Sequence, residues 1–273
     1  MKIFRVPRAA VLLGAVTMLG HAAPPESPVV GVGPFLHIIS DLDQSLAFYH
    51  DMLGLELSGP AGAEHKFTDN PAVANLYGVP GKQFRAAVLK IPGSAMGIEL
   101  VQWGEARKPE HKPIADPGGV TLILRVTDSA AASKKALRDP DGYPVEVVRS
   151  ENAGADLSVS VSNVEKEKAL YTGALGFMAE GDWLTVPGAS VRIRFTKAAG
   201  GEGLGVGFPE PGRGMLRLPV RNIVALTESL KGAGFSVITT GGAPVTLPQG
   251  PRVIIVRDPN NFYLQPMEMP APK

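Results

Sequence analysis

The chain has 273 residues, with 27 Lys and Arg against 26 Asp and Glu, a formal net charge of +1. That balance argues against a nucleic-acid partner or attraction to an anionic surface. Cysteine is absent, so no lipid can be attached through a thiol; domains of this size bury enough core to do without disulfides even in an oxidising compartment.

The first residues read as a secretory signal. Lys2, Arg5 and Arg8 form a positive start, and Ala9 to Gly20 is an apolar run, shorter than the ~20 residues that span a bilayer. Gly20-His21-Ala22 supplies small residues for cleavage after Ala22. Residues 1–22 are therefore expected to be a signal peptide and the mature chain to be periplasmic or secreted. No later segment is long and apolar enough to cross a membrane. What remains has room for one large domain or two of ~120 residues.

The sequence then repeats itself. Asp41-Leu42-Asp43 through Tyr49 to Leu53-Gly54-Leu55 returns as Asn163-Val164-Glu165 through Tyr171 to Leu175-Gly176-Phe177, at a constant offset of 122. Each copy is an apolar strand, a polar cap and an amphipathic helix closed by Gly. Asp41 and Asn163 suit the N-cap, where a side-chain oxygen meets a free backbone N–H. Gly54 and Gly176 suit the C-terminal stop, where positive φ costs Gly little. Further on, Leu137-Arg138-Asp139-Pro140-Asp141-Gly142 matches Val256-Arg257-Asp258-Pro259-Asn260-Asn261 at an offset of 119, each a turn leading into a strand.

In chain order the pattern predicts four modules. The first has a strand at 35–40, a helix at 43–54 and strands near 55–58, 84–91 and 97–103. The second has a strand at 120–126, a helix near 129–137 and a strand at 144–149. The third has a strand at 157–162, a helix at 164–176 and strands near 182–186, 190–196 and 203–208. The fourth has a strand at 215–220, a helix at 223–233 and strands near 235–239, 252–256 and 262–267. The polar stretch 150–156 reads as the linker between halves. Val126-Thr127-Asp128 matches Val220-Arg221-Asn222 at an offset of 94, so module two is 25 residues shorter than module four and lacks the counterpart of Lys231 to Ile255. The fold class is α+β: four βαβββ modules in two halves, 31–150 and 155–268, with module two truncated by about two strands. That truncation predicts an open first half, its exposed edge covered by the other half, by the loop 104–117 or by a second molecule.

The run Asp41 to Leu55, with Asp139-Pro140-Asp141-Gly142 and Glu146 at a module end, resembles the vicinal oxygen chelate superfamily of glyoxalases, bleomycin-resistance proteins and extradiol dioxygenases. The resemblance covers roughly residues 31–268. It implies paired modules that form a curved sheet around a cleft, where a divalent metal is held by side chains from the first and last strands. Such a metal would act as a Lewis acid on neighbouring substrate oxygens. The family's first-strand His lies seven residues before the helix cap; here those places hold Pro34, Thr121, Asp156 and Met215. The last-strand acid is present as Glu99 and Glu146, becomes Gln265 in module four, and has no acid in Gly203-Leu204-Gly205-Val206-Gly207 of module three. The metal ligands the resemblance allows are thus Glu99 and Glu146, with His37 if a bulge turns it into the cleft; otherwise His37 packs between strand and helix. A divalent metal is expected at most in the first half and none in the second, which has no His after His111.

Other residues are weighed on their surroundings. Glu99 lies between Ile98 and Leu100, and an isolated carboxylate facing a core would be costly, so it should face a cleft. Arg217, in an apolar strand, is a candidate ligand-binding anchor. Arg192 and Arg194 project from one face of a strand, either solvated or holding an anion. His50, His65 and His111 read as solvated. Residues 59–83, with a short helix near 72–77, read as a lid or mouth insertion. Gly200-Gly201-Glu202-Gly203 lacks the strand-turn-helix setting of a phosphate loop. Three functions stay open: a metal-dependent lyase, isomerase or oxygenase; a metal-free small-molecule binder in the manner of bleomycin-resistance proteins; and a structural protein with no ligand. A small-molecule ligand is the expected partner, and a homodimer is open.

Overall fold

The structure, a computed structural model, describes residues 26–59, 62, 66–104, 116–128, 136–200 and 210–271. The expected signal peptide, His65, His111 and the strand near 203–208 lie outside the described residues. Module one is β1 (Phe35–Ile38), α1 (Leu42–Leu46) continuing as a π-helical segment at Ala47–Met52, β2 (Glu56–Ser58), α2 (Pro71–Leu76), β3 (Phe84–Lys90) and β4 (Ile98–Trp103). Module two is β5 (Val120–Val126), β6 (Leu137–Arg138) and β7 (Pro144–Arg149); its expected helix falls on 129–135, outside the described residues, and Leu137 is already strand. Module three is β8 (Gly154–Val161), α3 (Val164–Leu175), β9 (Met178–Glu180), β10 (Trp183–Thr185) and β11 (Arg192–Lys197). Module four is β12 (Gly214–Pro219), α4 (Ile223–Gly232), β13 (Ser236–Val237), β14 (Val245–Thr246), β15 (Arg252–Val253), β16 (Val256–Arg257) and β17 (Tyr263–Glu268).

The caps form as the repeat predicts. Asp41 accepts from the Asp43 and Gln44 amides, Asn163 from Lys166 and Asn222 from Ala225. Gly54 and Gly176 close their helices at φ 74 and 70, where a side chain would be strained.

The modules pair differently from the expected order. Sheet one runs β13-β16-β17-β12-β1-β4-β3-β2, with β15 also on β17 and β14 on β15, so it joins module one to module four. Sheet two runs β6-β7-β5-β8-β11-β10-β9 and joins module two to module three. Within each module the first strand lies parallel to the last. The modules meet antiparallel, β1 on β12 and β5 on β8. Chain length explains the choice. Residues 150–153 separate β7 from β8 and reach only about 14 Å when extended, which keeps module three beside module two. The much longer stretches 104–119 and 198–213 can pass from one sheet to the other. Asp156 is consequently a strand residue and not part of a linker.

The short module two is therefore not the half of an open cleft with module one. Its shortage falls on sheet two, where the two-residue β6 is the edge strand. Pro144–Arg149 pairs with Val120–Val126, which puts Val145 and Val147 out of water. Among the described residues of module three, β11 stands to β8 as β4 stands to β1.

One core lies between the helices and both sheets. It takes Phe35, Ile98 and Leu216 from sheet one, Leu122, Leu157 and Ile193 from sheet two, and Tyr49, Tyr171 and Leu230 from the helices. A second core covers the other face of sheet one alone. There Leu36, Ile38, Val101, Trp103, Met215 and Tyr263 pack against Ala74, Leu76 and Tyr77 of the inserted segment. The expected lid is thus a packed cover over sheet one. Among the described residues no helix is long and apolar enough to cross a membrane.

Candidate functional site

Strand alternation separates a helix face from a cleft face in each sheet. On the cleft face of sheet one, Leu36 is level with Glu99, and Arg217 is level with Gln265. Across the module junction Leu36 is opposite Met215. The places to which the resemblance assigns ligands in this sheet are Pro34, Glu99, Met215 and Gln265. Arg217 occupies the space among them. Its Nη2 is 2.9 Å from Glu99 Oε2, a charge contact off the hydrogen-bond axis. Its Nε donates to Gln265 Oε1 at 2.6 Å. Gln265 is also hydrogen-bonded to Tyr77, whose hydroxyl pKa is raised by burial and by the Glu99 charge.

The stem of Arg217 lies on Gly33. A Cβ there would come within 2.9 Å of Arg217 Cγ and Cδ, so the backbone approach needs glycine. Tyr77 and Phe84 flank Trp103 with ring centroids 5.0 Å apart in each pair. The Trp103 indole N–H, buried, has no hydrogen-bond partner among the described residues. The Arg217 and Glu99 side chains are each 20 % exposed, so the pair can be reached from outside.

His37 lies on the opposite face from Glu99. It is level with Leu100, fully buried, and its Nε2 is 2.6 Å from Asp139 Oδ2. Its Nδ1 faces the Arg213 carbonyl at 3.3 Å. Both ring nitrogens meet acceptors, which favours the imidazolium. Burial opposes that charge, but the Asp139 carboxylate outweighs burial and raises the His37 pKa. Burial likewise opposes the Asp139 charge; His37 overrides it and lowers the Asp139 pKa. Tyr49 donates to the same carboxylate at 3.2 Å, and the Tyr143 ring lies 4.3 Å from the imidazole. The Asp139–Gly142 turn thereby docks onto β1 and the first helix. The repeat makes the same joint in the other half, where Tyr171 donates to Asp258 at 2.8 Å and Asn260 donates to buried Glu167. His50 is 47 % exposed, with Nδ1 2.6 Å from the Leu55 carbonyl.

Sheet two presents a different cleft face. Asp156, almost fully buried, is held by Arg192 through Nη2 at 2.7 Å and Nε at 3.3 Å, and by Arg125 Nε at 3.1 Å. The carboxylate partner raises the Arg192 pKa. Arg194 is level with Ser158, donates to its Oγ at 3.2 Å, and stands 3.8 Å from Glu146. Both guanidinium groups lie over the Trp183 ring, Arg192 at 4.5 Å and Arg194 at 5.2 Å.

Of the expected site residues, the structure brings Glu99 and Arg217 together. It places Glu146 in the other sheet and His37 on the other face. This donor set does not fit a divalent metal. In sheet one the acid Glu99 is neutralised by a guanidinium; in sheet two Asp156 is too, and Glu146 has no second ligand beside it among the described residues. Among the described residues no group of three His, Asp, Glu or Cys converges. Sequence reasoning missed Trp183 and the role of Asp156. The count of seven before Asn163 lands on Asp156, but its partner arginines become visible only once β5 and β11 are known to flank β8.

No protein-family model matches the sequence, and no curated protein does. Solved structures do. Glyoxalase I from Zea mays is 15 % identical with a TM-score of 0.55, over 89 % of this chain and 92 % of that one. A candidate dioxygenase from Bacillus subtilis subsp. subtilis str. 168 is 15 % identical with a TM-score of 0.57, over 90 % of this chain and 87 % of that one. At such identities the likeness is one of architecture. Four modules, each with its first strand parallel to its last, joined in two sheets along nearly the whole of both chains give this chain the fold of glyoxalase I.

Proposed function

We propose that this chain is a metal-free small-molecule-binding protein whose ligand enters the cleft of sheet one, between modules one and four and beneath the segment around Tyr77. The observation that carries this reading is the Arg217 guanidinium seated between Glu99 and Gln265. A cation already compensates the acid at a place where the fold's enzymes would hold a metal. The remaining cleft wall is apolar and aromatic, the usual lining of a small-molecule pocket. The unpartnered Trp103 N–H and the Glu99–Arg217 pair are polar groups able to orient a ligand there. Entry requires the α2 segment to shift, because Leu76 and Tyr77 are packed against the sheet. Export to the periplasm or medium is part of the proposal, resting on Lys2, Arg5, Arg8 and the apolar run after them.

The test combines metal analysis of the purified mature chain with a thermal-shift screen of small organic ligands. The expected result is less than a stoichiometric amount of divalent metal, together with ligands that raise the melting temperature and lose that effect in Arg217→Gln. Stoichiometric iron, zinc or nickel that disappears in Glu99→Gln would overturn the reading in favour of the metal-dependent enzyme.

A further inference from the structure

We propose a second ligand site on the cleft face of sheet two, built to hold a small organic carboxylate on Arg194. The argument begins with how differently the three arginines of this face are used. Arg192 is committed to Asp156, which is 1 % exposed and accepts from its Nη2, Nε and backbone amide, and Arg125 Nε stands 3.1 Å from the same carboxylate as a charge contact. A buried carboxylate between two guanidinium groups is a rigid unit with one excess positive charge. Arg194 is not committed in this way. Its Nε is bound to Ser158, while its nearest acid, Glu146, is 3.8 Å away, too far for a hydrogen bond. The Arg194 and Glu146 side chains are 37 % and 42 % exposed, so solvent screens what attraction they have.

The outer edge of the Arg194 guanidinium is therefore a planar two-donor fork held in place on three sides. Ser158 fixes Nε, and the pairing of Trp183 with Arg194 sets the indole beside it. Below it, the Arg192–Asp156–Arg125 unit adds positive potential. A carboxylate matches such a fork with two parallel hydrogen bonds. Ser158 Oγ accepts from Arg194 and so keeps its own proton for a second acceptor. Thr185 Oγ1, on the same face, is shielded from solvent and has no hydrogen-bond partner among the described residues. Trp183 supplies an aromatic wall, which favours a carboxylate carrying an apolar or aromatic body over a bare inorganic anion. Glu146 is the competing anion, and an incoming carboxylate displaces its weak contact.

Isothermal titration of the full chain with benzoate, with phosphate and with sodium chloride at matched ionic strength tests the proposal. Benzoate should bind saturably, phosphate and chloride should not, and Arg194→Gln should weaken benzoate roughly tenfold or more. Glu146→Gln, which removes the competitor and leaves the core untouched, should tighten it. Circular dichroism and melting of both variants report whether the fold survives. Equal affinity for phosphate, benzoate binding that Arg194→Gln leaves unchanged in a folded protein, or no benzoate binding at all would each overturn the assignment.

Discussion

Arg217 of module four reaches across the junction of two modules and sets its Nη2 2.9 Å from Oε2 of Glu99 in module one. The two residues are far apart in the chain and belong to different sequence halves. They become neighbours only because β12 pairs with β1. The contact ties the halves together, and it also removes the acid that a metal site in this cleft would require.

The pair is mostly shielded, so breaking it leaves one charge poorly solvated. Removal of either partner, by Arg217→Met or Glu99→Gln, should cost about 2 kcal/mol, between the values of exposed and buried pairs. The double variant should recover much of that loss, since it strands neither charge. Urea denaturation of the four proteins measures the coupling. Additive losses would mean that the charges do not stabilise one another. Gly33→Ala should mimic the single variants, because its Cβ would push the Arg217 stem away.

The second prediction concerns His37 and Asp139. His37 is a base with a raised folded pKa, so its contribution is complete below its unfolded value near 6.5 and is lost as the pH climbs through the higher folded one. Asp139 is an acid with a lowered folded pKa; its contribution is complete above an unfolded value near 3.9 and lost as the pH falls through the folded one. The pair should stabilise most between about pH 4 and 6.5. Asp139→Asn should cost about 3 kcal/mol in that window and less at pH 9. A loss independent of pH would contradict the charged pair.

The acids of the joint in the other half should behave in the opposite sense to Asp139. Burial and the neighbouring Asp258 charge push Glu167 up to about 8, and burial pushes Asp258 up to about 6. The folded chain keeps a proton there that the unfolded chain releases near pH 4.5, so this joint weakens as the pH rises from about 4.5 to 8. Glu167→Gln keeps the shape and an acceptor for Asn260 while removing the titration. It should raise stability at pH 8 relative to the parent and flatten the decline. An unchanged pH slope in that variant would refute the shared proton.

Much of this was legible in the sequence. The offsets of 122, 119 and 94 mark out four modules, and Asp41, Asn163, Gly54 and Gly176 cap helices as their types require. Glu99 faces the cleft as an acid between Ile98 and Leu100 should. What the repeat could not carry is which first strands pair, because β1 can meet β5 or β12 with the same alternation of side chains. Linker length decides it: of the stretch 150–156 that reads as a boundary, 150–153 is a short tether and the rest is already strand. The partners of Arg217, Asp156 and Trp183 follow from that pairing and were invisible before it. His37 misleads for another reason: its histidine type suggests a ligand, while its odd position in β1 sends it to the helix face.

The same pairing predicts how the chain tolerates division. Cutting at 150–152 gives pieces that match the sequence repeat but not the sheets. The first piece keeps β1 without β12 and β5 without β8. The second keeps those two partners without their mates. Each then exposes backbone donors and acceptors along the middle of a former sheet, and uncovers Leu36, Ile38 and Met215, all within 1 % of complete burial in the whole chain. Neither piece should unfold cooperatively alone, and each should aggregate when expressed singly. Expressed together they should associate and recover one cooperative transition, because every lost contact is restored by docking the two. Sharp independent unfolding of residues 24–152 and 151–273 as monomers would mean that each half can re-pair β1 with β5, or β8 with β12. The cross-half sheets would then not be the chain's necessary ground state.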